Sequence, residues 1–412
     1  MRLLIVLILL TIVDTISPSH STTLRLVQIL FRHGDRSPTH VYPTDPYQED
    51  SWPQGLGQLS KVGMQQMYEV GQFIRTRYVG SGFLTANYTN TEIHIRSTDI
   101  DRTLMSAYCV LTGLYPAEGK QAWNGTLPWQ PIPVHTVPRS EDYLLYLHCP
   151  TYEKAYEELL QSPAMLKIQN QHKDLIDYIS QHSGLNATLD SLLHIMDPLL
   201  CEKINKKPYP PWLMVNNTAE NILKLIDLKV QVRTSTPDLA RIRGGPLLGR
   251  MIQNMKDKMT NKLSRKALLF SAHDSTIEAF LSALKVFNNL YVPYGSSVFV
   301  ELHVVKDTPV VKVFYRNDTT AQPYLLKLSG CSDPCPMAEL EQLTQHMIPE
   351  DSKAMCEGDG HTTHRNLSGA TVAAAVLVPV ILAMFLAILA VRFMQERKRQ
   401  ALYRYRPVNE HL

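Results

Sequence analysis

Leu24-Arg25-Leu26-Val27-Gln28-Ile29-Leu30-Phe31-Arg32-His33-Gly34-Asp35-Arg36-Ser37-Pro38 passes from a near-continuous apolar run into two arginines and a histidine. An apolar run this short, rich in branched side chains, fits a strand buried on both faces. Downstream, Ser60 to Tyr78 carries Val62, Met67, Val70 and Ile74 at helical spacing and stops before Gly80. Glu92 to Ile95 alternates as a short strand ending at Arg96, and a helix with Leu104, Met105 and Tyr108 is expected after Thr98. From about 141 to 240 the pattern is helical, broken by the turn at Pro208 to Pro211, and reads as an inserted helical domain. Strand signals return at Lys266 to Ser271, a helix follows from Ser275 to Phe287, and Val298 to Val305 with Thr308 to Tyr315 reads as a hairpin. Strands alternating with helices over this length define an α/β sheet flanked by helices, which binds ligands beyond the carboxyl ends of its strands.

Three of these strands end in polar residues of one character. Phe31 leads to Arg32, His33 and Arg36; Ile95 leads to Arg96; Ser271 leads to His273 and Asp274. If the strands run parallel, the clusters converge on one edge. Several guanidiniums in one pocket repel unless an anion joins them, and arginine matches phosphate oxygens in a fork that never loses its charge. A histidine within such a cradle can attack phosphorus and form a phosphohistidine, dividing one difficult step into two. The leaving alkoxide then needs a proton, and Asp274 is the acid nearest in sequence to His273. Ser275-Thr276-Ile277-Glu278 has the capping-box pattern, which puts His273 and Asp274 at a helix N-terminus, itself an anion-binding position. These residues require neither metal nor cofactor.

The chain's 412 residues are 44% hydrophobic and 19% charged, a composition that supplies a core and excludes disorder of the whole. Residues 1–21 read as a secretory signal peptide, with Arg2 ahead of an apolar run too short to span a bilayer. Residues 370–391 carry no charge and are long enough to cross one. Arg392, Arg397, Lys398 and Arg399 follow, which places 392–412 in the cytosol and residues 22–360 in the lumen or outside the cell. That tail holds six Lys/Arg and two Asp/Glu, a net of +4 out of the chain's +3, so the remainder sums to −1 and offers no nucleic-acid surface. Sequons at Asn87, Asn124, Asn186, Asn216, Asn317 and Asn366 all lie between the two apolar segments, as expected of a glycoprotein. So do all six cysteines, in a compartment where disulfides persist. Cys331 to Cys335 has no second Cys/His pair at metal spacing and reads as a small disulfide loop. Tyr405-Arg406-Pro407-Val408 fits a tyrosine-based sorting signal that an adaptor would read.

Arg32-His33-Gly34-Asp35-Arg36-Ser37-Pro38 and Ser271-Ala272-His273-Asp274 resemble the two signature motifs of the histidine acid phosphatases. Ser51 to Gly55, Arg96 to Asp99, Asp101 to Ala107 and Trp129 to Pro138 are similar to the lysosomal and prostatic branch. The resemblance covers roughly the whole body between the apolar ends. It implies a mixed α/β fold of phosphoglycerate-mutase type with a smaller helical domain, and hydrolysis of phosphate monoesters without a cofactor. His33 would be the phosphorylated nucleophile, with Arg32, Arg36, Arg96 and His273 binding phosphate and Asp274 donating the proton. It further implies a homodimer built through the Trp129 to Pro138 region, and a lysosomal or cell-surface type I membrane protein. The family's disulfides would pair Cys149 with Cys356 and Cys331 with Cys335. The usual partner of Cys201 is replaced near Tyr294 to Ser297, so Cys109 and Cys201 either pair with each other or are both free. Two rival functions share these residues: a phosphatase selective for lipid or inositol phosphates, and a catalytically silent ectodomain that only binds an anion.

Overall fold

Strand β1 (Leu24–Arg32) lies inside a seven-stranded sheet and is buried at every position but Arg25. The structure is a computed structural model describing residues 23–357 apart from positions 147 and 187. Because successive side chains of a strand face opposite ways, β1 feeds two cores. Leu26 and Leu30 meet Leu248, Met251 and Phe280 from helices α10 (Pro237–Met259) and α11 (Asp274–Ala283). Val27, Ile29 and Phe31 meet Met67, Val70, Val110 and Leu114 from α1 (Lys61–Ile74) and α2 (Asp101–Leu114). Gln28, the polar residue in this buried run, is satisfied on the α10 side. Its amide donates to the Met251 carbonyl at 2.9 Å and its oxygen accepts from Asn254 at 2.8 Å.

β1 pairs parallel with β3 (Ala267–Ala272), and β3 parallel with β2 (Ile93–Ser97), so the three strand ends expected to converge share one edge of the sheet. On its other side β1 runs antiparallel to β4 (Ser297–Val305), followed by β5 (Thr308–Arg316), β6 (Tyr324–Leu326) and β7 (Cys335–Pro336), all antiparallel. The sheet is therefore mixed. Its β2 edge is covered by the segment around His135, whose amide donates to the Ile95 carbonyl at 3.0 Å and whose carbonyl accepts from Ser97 at 2.9 Å.

The helical stretch comprises α3 (Pro150–Leu160), α4 (Pro163–Gln171), α5 (Lys173–Ser183), α6 (Leu189–Ile204), α7 (Pro211–Met214), α8 (Thr218–Leu223) and α9 (Ile226–Arg233). It has an apolar cluster of its own around Ile179, Leu192, Leu199 and Ile222. All the described residues fall in one compact unit. A Cys149–Cys356 disulfide ties the start of α3 to α13 (Ser352–Glu357), and Cys331–Cys335 closes a short loop beside α12 (Met337–Thr344). Cys109 and Cys201 are free thiols, which resolves the two alternatives left by the sequence. Among the described sequons Asn87, Asn124, Asn186 and Asn216 are exposed and Asn317 is half-buried. Residues 1–21, Asn366, the apolar segment 370–391 and the tail with Tyr405 and Val408 lie outside the described residues. No helix among the described residues is long and apolar enough to cross a membrane.

The loop after β1 meets α6 through two buried carboxyls, Asp45 and Glu202. Neither oxygen of Glu202 has a donor among the described residues, and a buried carboxyl without one is less costly neutral than charged. Burial and the neighbouring Asp45 push Glu202 up to about 8. A folded-state value above the unfolded one for a carboxyl means stability that is complete in acid and declines as pH rises from the ordinary glutamate range towards 8. Glu202→Gln should therefore raise Tm at pH 8 by about 5 °C relative to its effect at pH 5. Thermal melts of both proteins at the two pH values check this, and an equal effect at both sinks it.

Candidate active site

Where β1 ends, the His33 amide donates to the Ala272 carbonyl of β3 at 3.1 Å, locking the first motif to the second. Gly34 passes so close to α1 that a Cβ would lie 2.3 Å from the Gly63 carbonyl oxygen, and this close approach is the reason for a glycine after His33. The His33 ring has a defined tautomer. Its Nδ1 is 2.8 Å from the Gly34 carbonyl, which only accepts, so the proton is on Nδ1. Nε2 then carries the lone pair, and Arg102 Nε donates to it at 3.1 Å. Burial, followed by the charges of Arg102 and Arg32, holds the imidazole well below its ordinary value of 6.5. His33 is thus neutral in mild acid, where an ordinary histidine is largely protonated.

The cations around it are held in fixed positions. Arg32 is buried, stacks 3.9 Å over the Tyr294 ring, and donates to the Tyr291 hydroxyl and the Val292 carbonyl, each at 2.5 Å. Its Nη2 is 3.1 Å from the Asp274 carboxylate. Arg36 forms a two-pronged pair with Asp197 of α6, at 3.1 and 2.8 Å. The Thr39 amide and hydroxyl also donate to Asp197, at 2.8 and 2.9 Å. Burial would raise Asp197, but Arg36 and these donors hold it well below the usual carboxylate range.

His273 and Asp274 do stand at a helix start, though by a different cap. His273 is the N-cap of α11 and its amide reaches the Thr276 hydroxyl at 3.4 Å. Glu278 lies one turn inside the helix, buried against Arg233 at 3.2 Å, and Ser275 accepts from Arg243 at 3.4 Å. The His273 ring is edge-on to His33 at 5.6 Å, with Nε2 3.0 Å from the Thr98 hydroxyl, and is pushed down to about 3 by burial and Arg102. Asp274 receives the Ser275 amide at 2.7 Å and lies 3.8 Å from Arg233. Burial would raise its value, but Arg32 and Arg233 hold it well below the usual range.

His33, Arg32, Arg36, His273 and Asp274 line one cavity of about 340 Å3. Arg96 does not. Ile93 and Ile95 point to the α1/α2 core, so the two-residue period of β2 sends Arg96 to the α10 face. There it pairs with Asp142 at 2.5 Å and lines a separate groove with Arg250. The arginine that joins Arg32 and Arg36 beside His33 is Arg102, from the first turn of α2. The rule that ligands sit at strand ends selects Arg96. Arg102 lies six residues further on, and only the packing of α2 against the sheet aims it inward. Asp197 carries no local signal either, since it reaches Arg36 across 161 positions. Tyr294 occupies the place facing Cys201, with its hydroxyl 3.7 Å from Sγ, which accounts for the free thiol.

The chain matches the family model of the histidine phosphatase superfamily, branch 2, over residues 23–316. It is 39% identical over 368 residues to the prostatic acid phosphatase of Bos taurus, covering 88% of this chain and 95% of the relative. It is 38% identical over 399 residues to the lysosomal acid phosphatase of Xenopus laevis, covering 93% and 90%. The solved Hafnia alvei phytase in complex with myo-inositol hexakis sulphate superposes with a TM-score of 0.61 at 19% identity, over 79% of this chain and 97% of that one. The fold, the joined motifs and these matches together place the chain in the histidine phosphatase superfamily, branch 2.

The exchange of roles between Arg96 and Arg102 is testable with orthophosphate as probe. Arg102→Met should weaken phosphate binding by at least about tenfold, as expected when a charge-assisted contact is lost. Arg96→Met should change it by less than about threefold and show its effect in Tm, through the buried Asp142 left without its partner. Titration calorimetry and melting of both variants decide, and the reverse order would restore Arg96 to the cradle.

Proposed function

We propose that the chain is an acid phosphatase that hydrolyses phosphate monoesters through a phosphohistidine on His33. The observation that carries this reading is a neutral, buried imidazole whose Nε2 lone pair accepts from Arg102, a residue of the same cavity that Arg32 and Arg36 line. The guanidiniums neutralise the three non-bridging oxygens and align phosphorus with Nε2. Arg102 turns its donors to the phosphoryl oxygens and so frees the Nε2 lone pair. Nε2 forms the P–N bond as the P–O bond to the alcohol breaks, and Asp274 gives its proton to the departing oxygen. A phosphoryl group competes with Asp274 for Arg32. Its negative charge and the loss of that ion pair both raise the carboxyl, so arrival of substrate favours the protonated form the step needs. In the second half Asp274 takes a proton from water, the oxygen attacks phosphorus, the P–N bond breaks and orthophosphate leaves with His33 neutral again. The depressed value of His33 keeps the nucleophile available in acid, where an acidic donor is also easiest to keep protonated.

In this reading the enzyme works in a lysosomal, secreted or cell-surface compartment as a glycosylated homodimer of type I membrane topology. The apolar segments, the placement of the sequons and cysteines, and the tyrosine-bearing tail support that assignment. A lumenal setting also agrees with the two disulfides.

Acid-labile label from a 32P-monoester should be trapped by rapid quench on His33, and steady turnover with no label there would overturn the mechanism. Asp274→Asn should slow an alkyl ester such as glycerol 2-phosphate by about a hundredfold or more, the usual worth of a proton donor. The same variant should affect 4-nitrophenyl phosphate far less, because its phenolate leaves without help. Equal losses on the two substrates would remove Asp274 from the role of acid.

A further inference from the structure

The reacting phosphoryl group accounts for only part of the cavity's charge. Besides Arg32, Arg36 and Arg102, three more cations line it, Lys229, Arg233 and Arg243, against the carboxylates Asp197, Asp274 and Glu278. Six positive groups face three negative ones. A phosphate monoester, whose second ionisation lies near pH 6, brings between one and two negative charges in mild acid. A surplus of positive charge remains after the first phosphate is bound.

The surplus lies on one side. Lys229 and Arg233 are one helical turn apart on α9 and share a face, where like charges repel. Arg233 is 3.8 Å from Asp274 and 3.2 Å from Glu278. Arg243, from α10, stacks 4.7 Å over the Tyr152 ring and donates to the Ser275 hydroxyl at 3.4 Å, next to Asp274 in the chain. Asp274 hands its proton to the leaving oxygen, so it marks the side of the cavity where the alcohol lies. Arg32, 3.1 Å from Asp274, joins that side to the cradle, while Lys229, Arg233 and Arg243 enter the same cavity from α9 and α10 and extend its positive wall past Asp274, where the alcohol lies. Burial, and after it the neighbouring Arg233, lowers Lys229 against the opposing pull of Asp197 and Asp274. The cavity of about 340 Å3 is also at the size of sites that enclose a small organic molecule.

We infer that Lys229, Arg233 and Arg243 form a second anion subsite, and that the preferred substrates are small phosphate monoesters whose alcohol carries a further phosphate. This rests on the proposed phosphatase activity and specifies what the activity selects. The second phosphate lies against the α9/α10 wall while the first is held by Arg32, Arg36 and Arg102. Binding energy from the remote group then serves to position the reacting one.

The test compares fructose 1,6-bisphosphate with fructose 6-phosphate as substrates of the full chain at pH 5. The kcat/KM ratio should favour the bisphosphate by about tenfold, the worth of one charge-assisted contact pair. Lys229→Met and Arg243→Gln should each lower that ratio severalfold. Arg233 is the less suitable position, because its loss strands the buried Glu278; the double variant Arg233→Gln with Glu278→Gln removes the pair together. A wild-type ratio near one overturns the subsite, and so does a ratio that stays high in all the variants. Turnover of 4-nitrophenyl phosphate separates the two levels of inference. If the wild-type chain hydrolyses it but shows no preference for the bisphosphate, the subsite alone fails. If it hydrolyses none of the three, the phosphatase reading fails with it.

Discussion

Holding three guanidiniums around one imidazole in a water-poor cavity is the constraint on which the rest of this structure depends. Unpaired, each would be expelled or would pull the fold apart. Two of the three have a carboxylate of their own, supplied from a different part of the chain: Asp274 from α11 for Arg32, and Asp197 from α6 for Arg36. The pairings also make the site a joint. Asp197 fastens the helical layer to the loop after β1, so α9 is carried to the rim of the cavity and the cap cannot be detached without stranding Arg36. In the proposed reaction an entering phosphoryl group would compete with these carboxylates for the arginines.

The histidines obey the opposite rule. His33 and His273 are surrounded by positive charge and shielded from water, and both effects disfavour the protonated ring. An enzyme that uses imidazole as a nucleophile in acid needs this arrangement, since the medium alone would protonate it. The cradle that binds the substrate therefore also keeps the nucleophile in its reactive form. Buried carboxyls elsewhere run the other way: Glu202 and Asp45 favour the protonated state, so the clasp between the β1 loop and α6 suits the same acidic conditions as the chemistry.

Much of the fold was legible in the sequence because its signals are local. The doubly buried β1, the α1 periodicity, the β4/β5 hairpin and the helix-rich stretch before α10 each declare themselves within a window of ten or twenty residues. Two disulfides also followed the family pattern. The capping box was displaced because Ser275 and Glu278 match the pattern while the chain turns into helix earlier, with His273 as the cap. The inserted helices keep an apolar cluster of their own, and Asp197 joins them to the loop after β1.

By itself the sequence determined the α/β class and the two motifs, and it singled out Arg32, His33, Arg36, His273 and Asp274, which line one cavity, since these depend on residue type and on strand ends that local periodicity reveals. Tertiary structure decided the third arginine. Arg96 ends a strand as Arg32 does, but the alternation of β2 turns it to the α10 face and Asp142, while α2 swings Arg102 over the sheet edge to His33. It also decided the partners Asp197 and Arg233 and the charge of the far wall. These lie 161 and 45 positions from the residues they pair with, a separation over which no local pattern in a chain carries information.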